Sequence, residues 1–355
     1  MSRNALSKAA TLSRAWAITS ACLCWFDLDV SAAQPFTTNP NRPASRVVIV
    51  QEENAVDAFR PRPEKILAMV NRGITNLTGK ATVPEAWLSL VSTQDVVGIK
   101  VFSAPGPNSG TRPAVAAAVV QGLLAAGLPP KHIIIWDKSD TDLLLAGFDE
   151  LADRYGIHVA GSARTGYDEK TFYETALIGN LIAGDLEFER KGQGVGRKSF
   201  VSKLVTQQLT KIINLTPLLN HNDAGVSGNL YGLAMGSVDN TLRFEGDAAR
   251  LNSAVPEICA LPILGDRVVL NIVDALICQY EGGQHGLLHY STVLNELRFS
   301  RDPVALDVLS VREIDRQRRL SNASYVKPNL ELYANAALLE LGVSDLKKIQ
   351  VDNVK

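Results

Sequence analysis

Four short apolar runs, each followed by a polar residue, constrain this chain more than any other feature of its sequence. They are VVGIK at 96–100, KHIIIWD at 131–137, TKIIN at 210–214 and DRVVLNIVD at 266–274. Continuous apolar runs of this length, rich in Val and Ile, predict strands that are buried on both faces. Because helical patterns separate these runs, the sequence predicts an α/β fold with a mixed, mostly parallel sheet flanked by helices.

Turn and capping signals predict the elements around these strands. Pro63 opens a helix that runs to about Leu77 and stops at Gly79. A second helix has Thr111 as its cap and Pro113 in its first turn. The remaining expectations are strands at 46–50 and 157–160, a loop at 189–198, and helices at 249–261, 302–319 and 328–341, with a last turn at 345–348.

Composition excludes some partners. The chain has 355 residues, of which 46% are hydrophobic and 21% charged, which is typical of globular proteins. Its formal net charge is −1, aromatic residues make up 6%, and no basic run carries interleaved aromatics. We therefore expect no nucleic-acid partner.

The first 33 residues have the pattern of a signal peptide. Arg3, Lys8 and Arg14 precede an apolar run at 15–26, and the small residues 31–33 offer a cleavage site. We therefore predict a signal peptide at 1–33, a Pro- and Asn-rich linker at 34–45, and a single α/β domain at 46–355. The mature protein would be exported, periplasmic or extracellular, without a transmembrane segment. The alternatives are a leader that stays attached and a lipid anchor at Cys22.

Cleavage would leave two cysteines, Cys259 and Cys278. In an oxidising compartment they could form a disulfide, but each lies in an apolar run and could equally be a buried apolar residue. Two cysteines cannot ligate a four-cysteine cluster, so no iron–sulfur cluster is expected.

The polar residues that end the four runs are the first candidate site. They are Lys100, Asp137, Asn214 and Asp274. In a parallel sheet the carboxyl ends of the strands lie along one edge, and ligands bind in the crevice outside it. The Gly-rich loop after Lys100 leads to a helix start at which Arg112 adds a positive charge, a combination that attracts anions. The alternative is that each polar residue only marks where a strand leaves the core.

Two later segments add candidate residues. The stretch Asn214–Asn240 places His221, Asp223 and Asn229 among five glycines, which allow a backbone to approach a ligand closely. His285 lies in the glycine-rich segment YEGGQHGLLH. Histidine and aspartate serve as acid/base groups or as ligands of a divalent metal, so a metal is a possible cofactor, although the H-x-D spacing is not a metal signature. The alternative is a long polar turn followed by a helix.

Four segments together resemble a known family. They are VVGIKVFSAPGPNSGTRP, KIINLTPLLNHNDAGVSGNLYG, VVLNIVDALICQYEGG and RDPVALDVLSVREID. In order and spacing they resemble the domain of unknown function 362 family over roughly residues 95–320. The resemblance implies an α/β domain, often found in exported bacterial proteins, with no settled reaction. Some members carry a ferredoxin-like segment, which this chain lacks. The family often has asparagine after the lysine that corresponds to Lys100, and Val101 stands there instead, which weakens an Asn-assisted anion site.

These observations give two main hypotheses. In the first, the protein is an enzyme for a small polar or anionic substrate, with His221, Asp223, Asp137 and Asp274 as acid/base or metal-ligating groups. Lys100 and Arg112 would hold the anion, and Asn214, Asn229 and His285 would contact the substrate. In the second, the same cleft belongs to a non-catalytic periplasmic binding or accessory protein. A redox partner is a third possibility, against which the lack of CxxC counts.

Overall fold

The structure is a computed structural model that describes residues 45–191, 194–323 and 327–355. Residues Pro43–Lys355 form one compact unit. The predicted signal peptide, and all but the last residue of the predicted linker, lie outside the described residues, so both stay predictions. Among the described helices, none is both long enough and apolar enough to cross a membrane.

The fold is organised around one large sheet. Its strands follow the order β13-β1-β12-β11-β9-β4-β5-β6, and β10 pairs with the end of β9. Within the described residues the strands are β1 (Ser45–Gln51), β2 (Val56–Asp57), β3 (Arg60–Pro61), β4 (Val97–Lys100), β5 (Ile133–Asp137), β6 (His158–Gly161), β7 (Tyr167–Asn180), β8 (Val195–Ser202), β9 (Lys211–His221), β10 (Gly225–Val226), β11 (Val268–Gln279), β12 (Ser291–Ser300) and β13 (Ile349–Val354). The pairs between β11, β9, β4, β5 and β6 are all parallel, as is β1 with β13, while β12 is antiparallel to both of its neighbours. The predicted mixed, mostly parallel sheet is confirmed.

Helices cover both faces of this sheet. Within the described residues they are α1 (Pro63–Thr78), α2 (Val83–Leu88), α3 (Gly106–Ser109), α4 (Pro113–Ala125), α5 (Asp140–Leu145), α6 (Asp149–Tyr155), α7 (Ser162–Thr165), α8 (Leu186–Lys191), α9 (Asn229–Ser237), α10 (Ala248–Cys259), α11 (Pro262–Gly265), α12 (Pro303–Leu320) and α13 (Glu331–Leu338). Successive residues of β9 point to opposite faces, so Ile213 packs with α1 and α4 in one core while Ile212 packs with α9, α10 and α12 in the other. This explains why the central strands read as continuous apolar runs.

Two strands extend beyond their predicted ends. β9 continues to His221 and β11 to Gln279, so Asn214 and Asp274 lie inside strands, and their placement at strand ends was wrong. β9 and β11 stay paired in parallel up to Pro217 and Asp274, and after a register shift Leu219 pairs with Gln279. The ladder therefore runs beyond the point where β4 ends at Lys100. The longer ladder satisfies backbone groups that the sequence interpretation had assigned to a loop.

Other local predictions also need correction. The predicted loop at 189–198 contains the end of α8 and the start of β8, which pairs with β7 in a separate two-stranded ribbon. The side chain of Thr111 does not cap α4, because its hydroxyl donates to the Leu215 carbonyl oxygen at 2.9 Å. The helix expected at 328–341 is shorter, Glu331–Leu338. Asp302 caps α12, since its Oδ1 accepts from the Ala305 N–H at 2.9 Å.

Both cysteines of the described residues carry free thiols and are buried. The disulfide alternative is therefore wrong for Cys259 and Cys278, and their interpretation as buried apolar residues is confirmed.

Candidate functional site

Lys100 and Asp137 form a buried ion pair where β4 and β5 end. The Lys100 Nζ lies 2.7 Å from Asp137 Oδ1, and both the backbone N–H and the hydroxyl of Ser103 donate to Asp137 Oδ2. Lys100 is fully buried and Asp137 is 6% exposed. The Lys100 ammonium is therefore paired with a carboxylate of the protein itself, and Lys100 offers no free charge to an anionic ligand.

A second set of buried polar groups joins the sheet to α9. The Asn214 Nδ2 donates to the Asn229 carbonyl oxygen at 2.8 Å and to Asn271 Oδ1 at 3.3 Å. Asp307 of α12 accepts from the backbone N–H groups of Asn229 and Leu230, at 2.7 and 2.9 Å, and so caps the start of α9. Burial raises the pKa of Asp307 to about 6. Lys100, Asp137, Asn214, Asn229 and Asp307 together form what we call the polar seam.

Glycines bring α9 close to this seam. A Cβ atom added at Gly228 would lie 2.2 Å from Asp307 Oδ1, and one added at Gly236 would lie 2.0 Å from Lys100 Cε. Gly232, midway between them, faces Thr216 of β9. The three positions are four residues apart and so share one face of the helix. The glycine-rich character of the segment thus serves helix packing against polar side chains.

Arg112 and Asp274 form a second buried ion pair, on the α4 side of the sheet. Arg112 Nη1 lies 2.9 Å from Asp274 Oδ2, and the Arg112 backbone N–H donates to the same oxygen at 3.1 Å. The guanidinium Nη2 donates to the Asn108 carbonyl oxygen. Since Arg112 is 2% exposed and Asp274 fully buried, this pair too is closed to a ligand. The structure therefore divides the predicted set between two faces of the sheet.

His221 and Tyr231 form a different kind of contact beside the seam. Their ring centroids are 4.3 Å apart. The His221 Nδ1 accepts from the backbone N–H groups of Asp223 and Ala224, at 3.2 and 3.1 Å, so the proton of the neutral ring is on Nε2. The Tyr231 hydroxyl oxygen accepts from Gln284 Nε2 at 2.7 Å, and among the described residues no group accepts the proton of this hydroxyl. We call His221 and Tyr231 the donor pair.

The environment keeps both members of the donor pair neutral near pH 7. Burial lowers the pKa of His221, and the carboxylates of Asp223 and Glu245 only partly oppose this. Burial raises the pKa of Tyr231, and Glu245 raises it further. An imidazole that already uses Nδ1 as an acceptor and carries its proton on Nε2 is suited to donate a hydrogen bond rather than to accept a proton.

The segment 281–287 lies next to the donor pair. The Gly283 N–H donates to Asn220 Oδ1 at 3.1 Å, and the Gln279 amide Nε2 donates to the His285 carbonyl oxygen at 2.7 Å. These bonds hold the segment over the end of β9 and place Gln284 against Tyr231. The His285 side chain is exposed, and the structure does not bring it to the donor pair. Asp223 is half-buried in the turn between β9 and β10.

Two charged residues complete the surroundings. Lys138 follows Asp137 directly, and its Nζ donates to Thr241 Oγ1 at 2.7 Å. Burial lowers the pKa of Lys138, while the carboxylates of Glu245, Asp185 and Asp239 oppose this effect. Glu245 acts electrostatically on Lys138, His221 and Tyr231 alike. One carboxylate thus lies within electrostatic range of an amine and of both members of the donor pair.

In the described part of the chain, no three His, Cys, Asp or Glu side chains cluster in a way that could hold a metal ion. His221 uses Nδ1 for backbone N–H groups, and Asp137 and Asp274 are engaged with cations and N–H donors.

Six residues of the site have no place in the sequence-based set: Ser103, Lys138, Tyr231, Glu245, Gln284 and Asp307. Tyr231 lies within the segment singled out for its glycines, and Gln284 lies beside His285. Ser103 follows Lys100 by three residues, in the loop that was expected to hold an anion. No signal in the sequence marks Glu245. Lys138 extends the strand-end pattern by one residue, and this position is the signal that marks it in the sequence.

The model of a family described as a domain of unknown function (DUF362) matches residues 97–312. The chain belongs to this family. The match begins with β4 and ends inside α12, so this DUF362 region contains the polar seam and the donor pair. A search of the curated proteins found no match. Among solved structures, the chain is similar to a crystal structure of a protein from Thermotoga maritima, with 12% identity and a TM-score of 0.38, covering 77% of this chain and 62% of that one.

Proposed function

We propose that the chain binds a small polar molecule through an oxygen atom of a carbonyl or carboxylate group, and that the donor pair holds this oxygen. The observation that carries the proposal is that the acceptor atom of each ring is occupied by a protein N–H, at His221 Nδ1 and at the Tyr231 hydroxyl. Each of the two side chains therefore still has one proton that it can donate to a ligand. Two such donors on adjacent rings suit an oxygen acceptor.

The charges nearby support an enzyme as the first form of this proposal. Neutral donors aimed at an oxygen stabilise negative charge that develops there during reaction. Glu245, which acts electrostatically on both rings, is the candidate proton acceptor, and Lys138 is a candidate contact for a second polar group of the substrate. The lack of free charge on Lys100 and Arg112 favours a polar substrate over a highly charged anion.

The alternative is a non-catalytic binding or accessory protein. The observation that favours it is that four of the expected charged groups, Lys100, Asp137, Arg112 and Asp274, are engaged with one another. NMR of a bound compound over several hours separates the two forms, since an enzyme would convert it and a binding protein would return it unchanged. Export stays part of the proposal, and N-terminal sequencing of secreted protein would test cleavage after Ala33.

A matched pair of aromatic contacts in this chain makes the binding proposal testable. His289 and Tyr290 also stack, with centroids 4.1 Å apart, but both side chains are exposed. Small carbonyl and carboxylate compounds would be screened for their ability to raise the melting temperature. For compounds that do so, Tyr231→Phe and His221→Phe should each weaken binding about tenfold, the effect of removing one hydrogen bond of roughly 1.4 kcal/mol. Tyr290→Phe and His289→Phe should leave binding unchanged. If the donor-pair variants and the His289 and Tyr290 variants lost equal amounts of binding affinity, the proposal would be wrong.

A further inference from the structure

A cavity lies at the edge of the sheet opposite to the donor pair. Its volume is about 100 Å³, and it opens where the amino end of β11, at Val268, meets α9 and the start of α12. Its apolar wall is formed by Leu230, Leu233, Val268, Pro303 and Leu341. The donor pair lies at the carboxyl end of β9, and neither of its residues lines this cavity.

The size and lining of this cavity suit a short aliphatic chain. Apolar cavities in proteins stay dry and take up small apolar molecules, and a cavity of about 150 Å³ accepts benzene. By proportion, this cavity has room for about four carbon atoms. Burying an aliphatic chain against Leu230 and Leu233, both nearly fully buried, would remove its surface from water.

One positively charged side chain, Arg301, lines the same cavity. Arg301 is exposed to solvent. Within the described residues, the Arg301 side chain has neither an ion pair nor a hydrogen bond, and only its carbonyl oxygen is engaged, by Asn271 Nδ2. An unpaired guanidinium beside an apolar slot is suited to an anionic head group, which it can bind through two N–H donors.

We propose that this cavity binds a short-chain aliphatic carboxylate, with its hydrocarbon chain between α9 and β11 and its carboxylate on Arg301. The proposal is independent of the donor pair. It concerns a different edge of the sheet. Because butyrate also belongs to the class of compound proposed for the donor pair, the variants tell the two sites apart: Arg301→Gln should weaken butyrate binding at this cavity and Tyr231→Phe should not.

Calorimetry with butyrate as the probe tests both parts of the proposal. Butyrate should bind, whereas n-butylamine, which has the same chain and the opposite charge, should not. Arg301→Gln should weaken butyrate binding about tenfold, as expected for the loss of a charged hydrogen-bond partner. Arg312→Gln, which changes an exposed arginine of α12 outside the cavity, is the matched control and should have no effect. Equal binding of butyrate and butylamine, or no binding of butyrate, would overturn the proposal.

The free thiol of Cys259 provides a second readout inside the cavity. Cys259 lines the cavity and is 3% exposed, whereas Cys278 is fully buried elsewhere in the core. Butyrate should slow alkylation of Cys259 by iodoacetamide, measured by peptide mass spectrometry, and leave the rate at Cys278 unchanged. Leu341→Phe, which places a larger side chain in the wall, should abolish both binding and protection. Protection that is equal at the two thiols would show a general stabilisation, and the cavity would not be the binding site.

Discussion

The polar seam and the donor pair each include a residue of α9, but they use their polar atoms in opposite ways. In the seam, the Lys100 ammonium and the carboxylates of Asp137 and Asp307 are buried and engaged with other groups of the protein. In the donor pair, protein N–H groups fill the acceptor atoms and leave the protons of His221 and Tyr231 to be donated. A seam of this kind fixes a helix on a sheet, whereas a pair of donors whose protons are not accepted by any described residue can hold a ligand. We therefore expect changes in the seam to affect stability and changes at the donor pair to affect binding.

The largest effect on stability should come from breaking the ion pair of the seam. Lys100→Met removes the cation and leaves Asp137 as a buried carboxylate with only the Ser103 donors. Removing one partner of a buried ion pair typically costs about 3–5 kcal/mol of the free energy of unfolding. Urea denaturation of the wild type and the variant would measure this cost.

Two further variants sharpen that result. Arg316→Met breaks an ion pair between this exposed arginine and the half-buried Glu313, and should cost less than about 1 kcal/mol. The double change Lys100→Met with Asp137→Asn removes the unpaired charge and should recover part of the lost stability. If Lys100→Met costs no more than Arg316→Met, the ion pair does not hold the seam together.

The next largest effect should come from the cap on α9. Asp307→Ala leaves the buried N–H groups of Asn229 and Leu230 without an acceptor, and should cost about 3 kcal/mol. Asp247 caps α10 in the same way but is exposed, so Asp247→Ala should cost about 1 kcal/mol. Equal losses in the two variants would show that burial of the seam adds nothing to the strength of the cap.

The sequence could predict the strands but only part of what their polar residues do. The strand Ile133–Asp137 is buried throughout, so its apolar run is sufficient to predict a strand. β13 is an edge strand in which Gln350, Val351 and Asn353 are exposed, and such a strand carries no comparable pattern. Lys100 and Asp137 could be placed at one edge of the sheet, yet no pattern states whether a lysine there faces a ligand or a neighbouring carboxylate. Tyr231 becomes a donor only through Gln284, which is 53 residues away in the sequence.

Two buried carboxyls, Asp307 of the seam and Asp239 outside it, should also give the protein a pH-dependent stability. Burial raises the pKa of Asp307 and of Asp239 to about 6, above the ordinary value near 3.8. The folded protein therefore binds protons that the unfolded chain does not. The contribution of the two carboxyls to the free energy of unfolding is fully present below about pH 4 and is lost as the pH rises through 6. Each carboxyl should add about 1 kcal/mol of stability between pH 7 and pH 5.

His221 opposes this trend, since its pKa is lowered from 6.5 and its contribution to stability is lost as the pH falls. Urea denaturation at pH 5, 6 and 7 would compare the wild type with His221→Phe, in which the gain on acidification should be larger. Asp239→Asn should reduce that gain by about 1 kcal/mol. A gain that is the same in all three proteins would show that these groups do not set the pH dependence.

The smallest effect on stability, with a measurable effect on binding, should come from Gln284→Ala. This half-buried side chain donates to the Tyr231 hydroxyl oxygen and so directs the Tyr231 proton away from itself. Its loss should cost less than about 1 kcal/mol of the free energy of unfolding, since Gln284 is partly exposed and water can replace it. Binding of a compound that needs Tyr231 should nevertheless weaken severalfold, because the hydroxyl can then turn its proton elsewhere. In the double variant with Tyr231→Phe, Gln284→Ala should add no further loss. If the two losses add independently, Gln284 contacts the ligand itself and does not orient Tyr231.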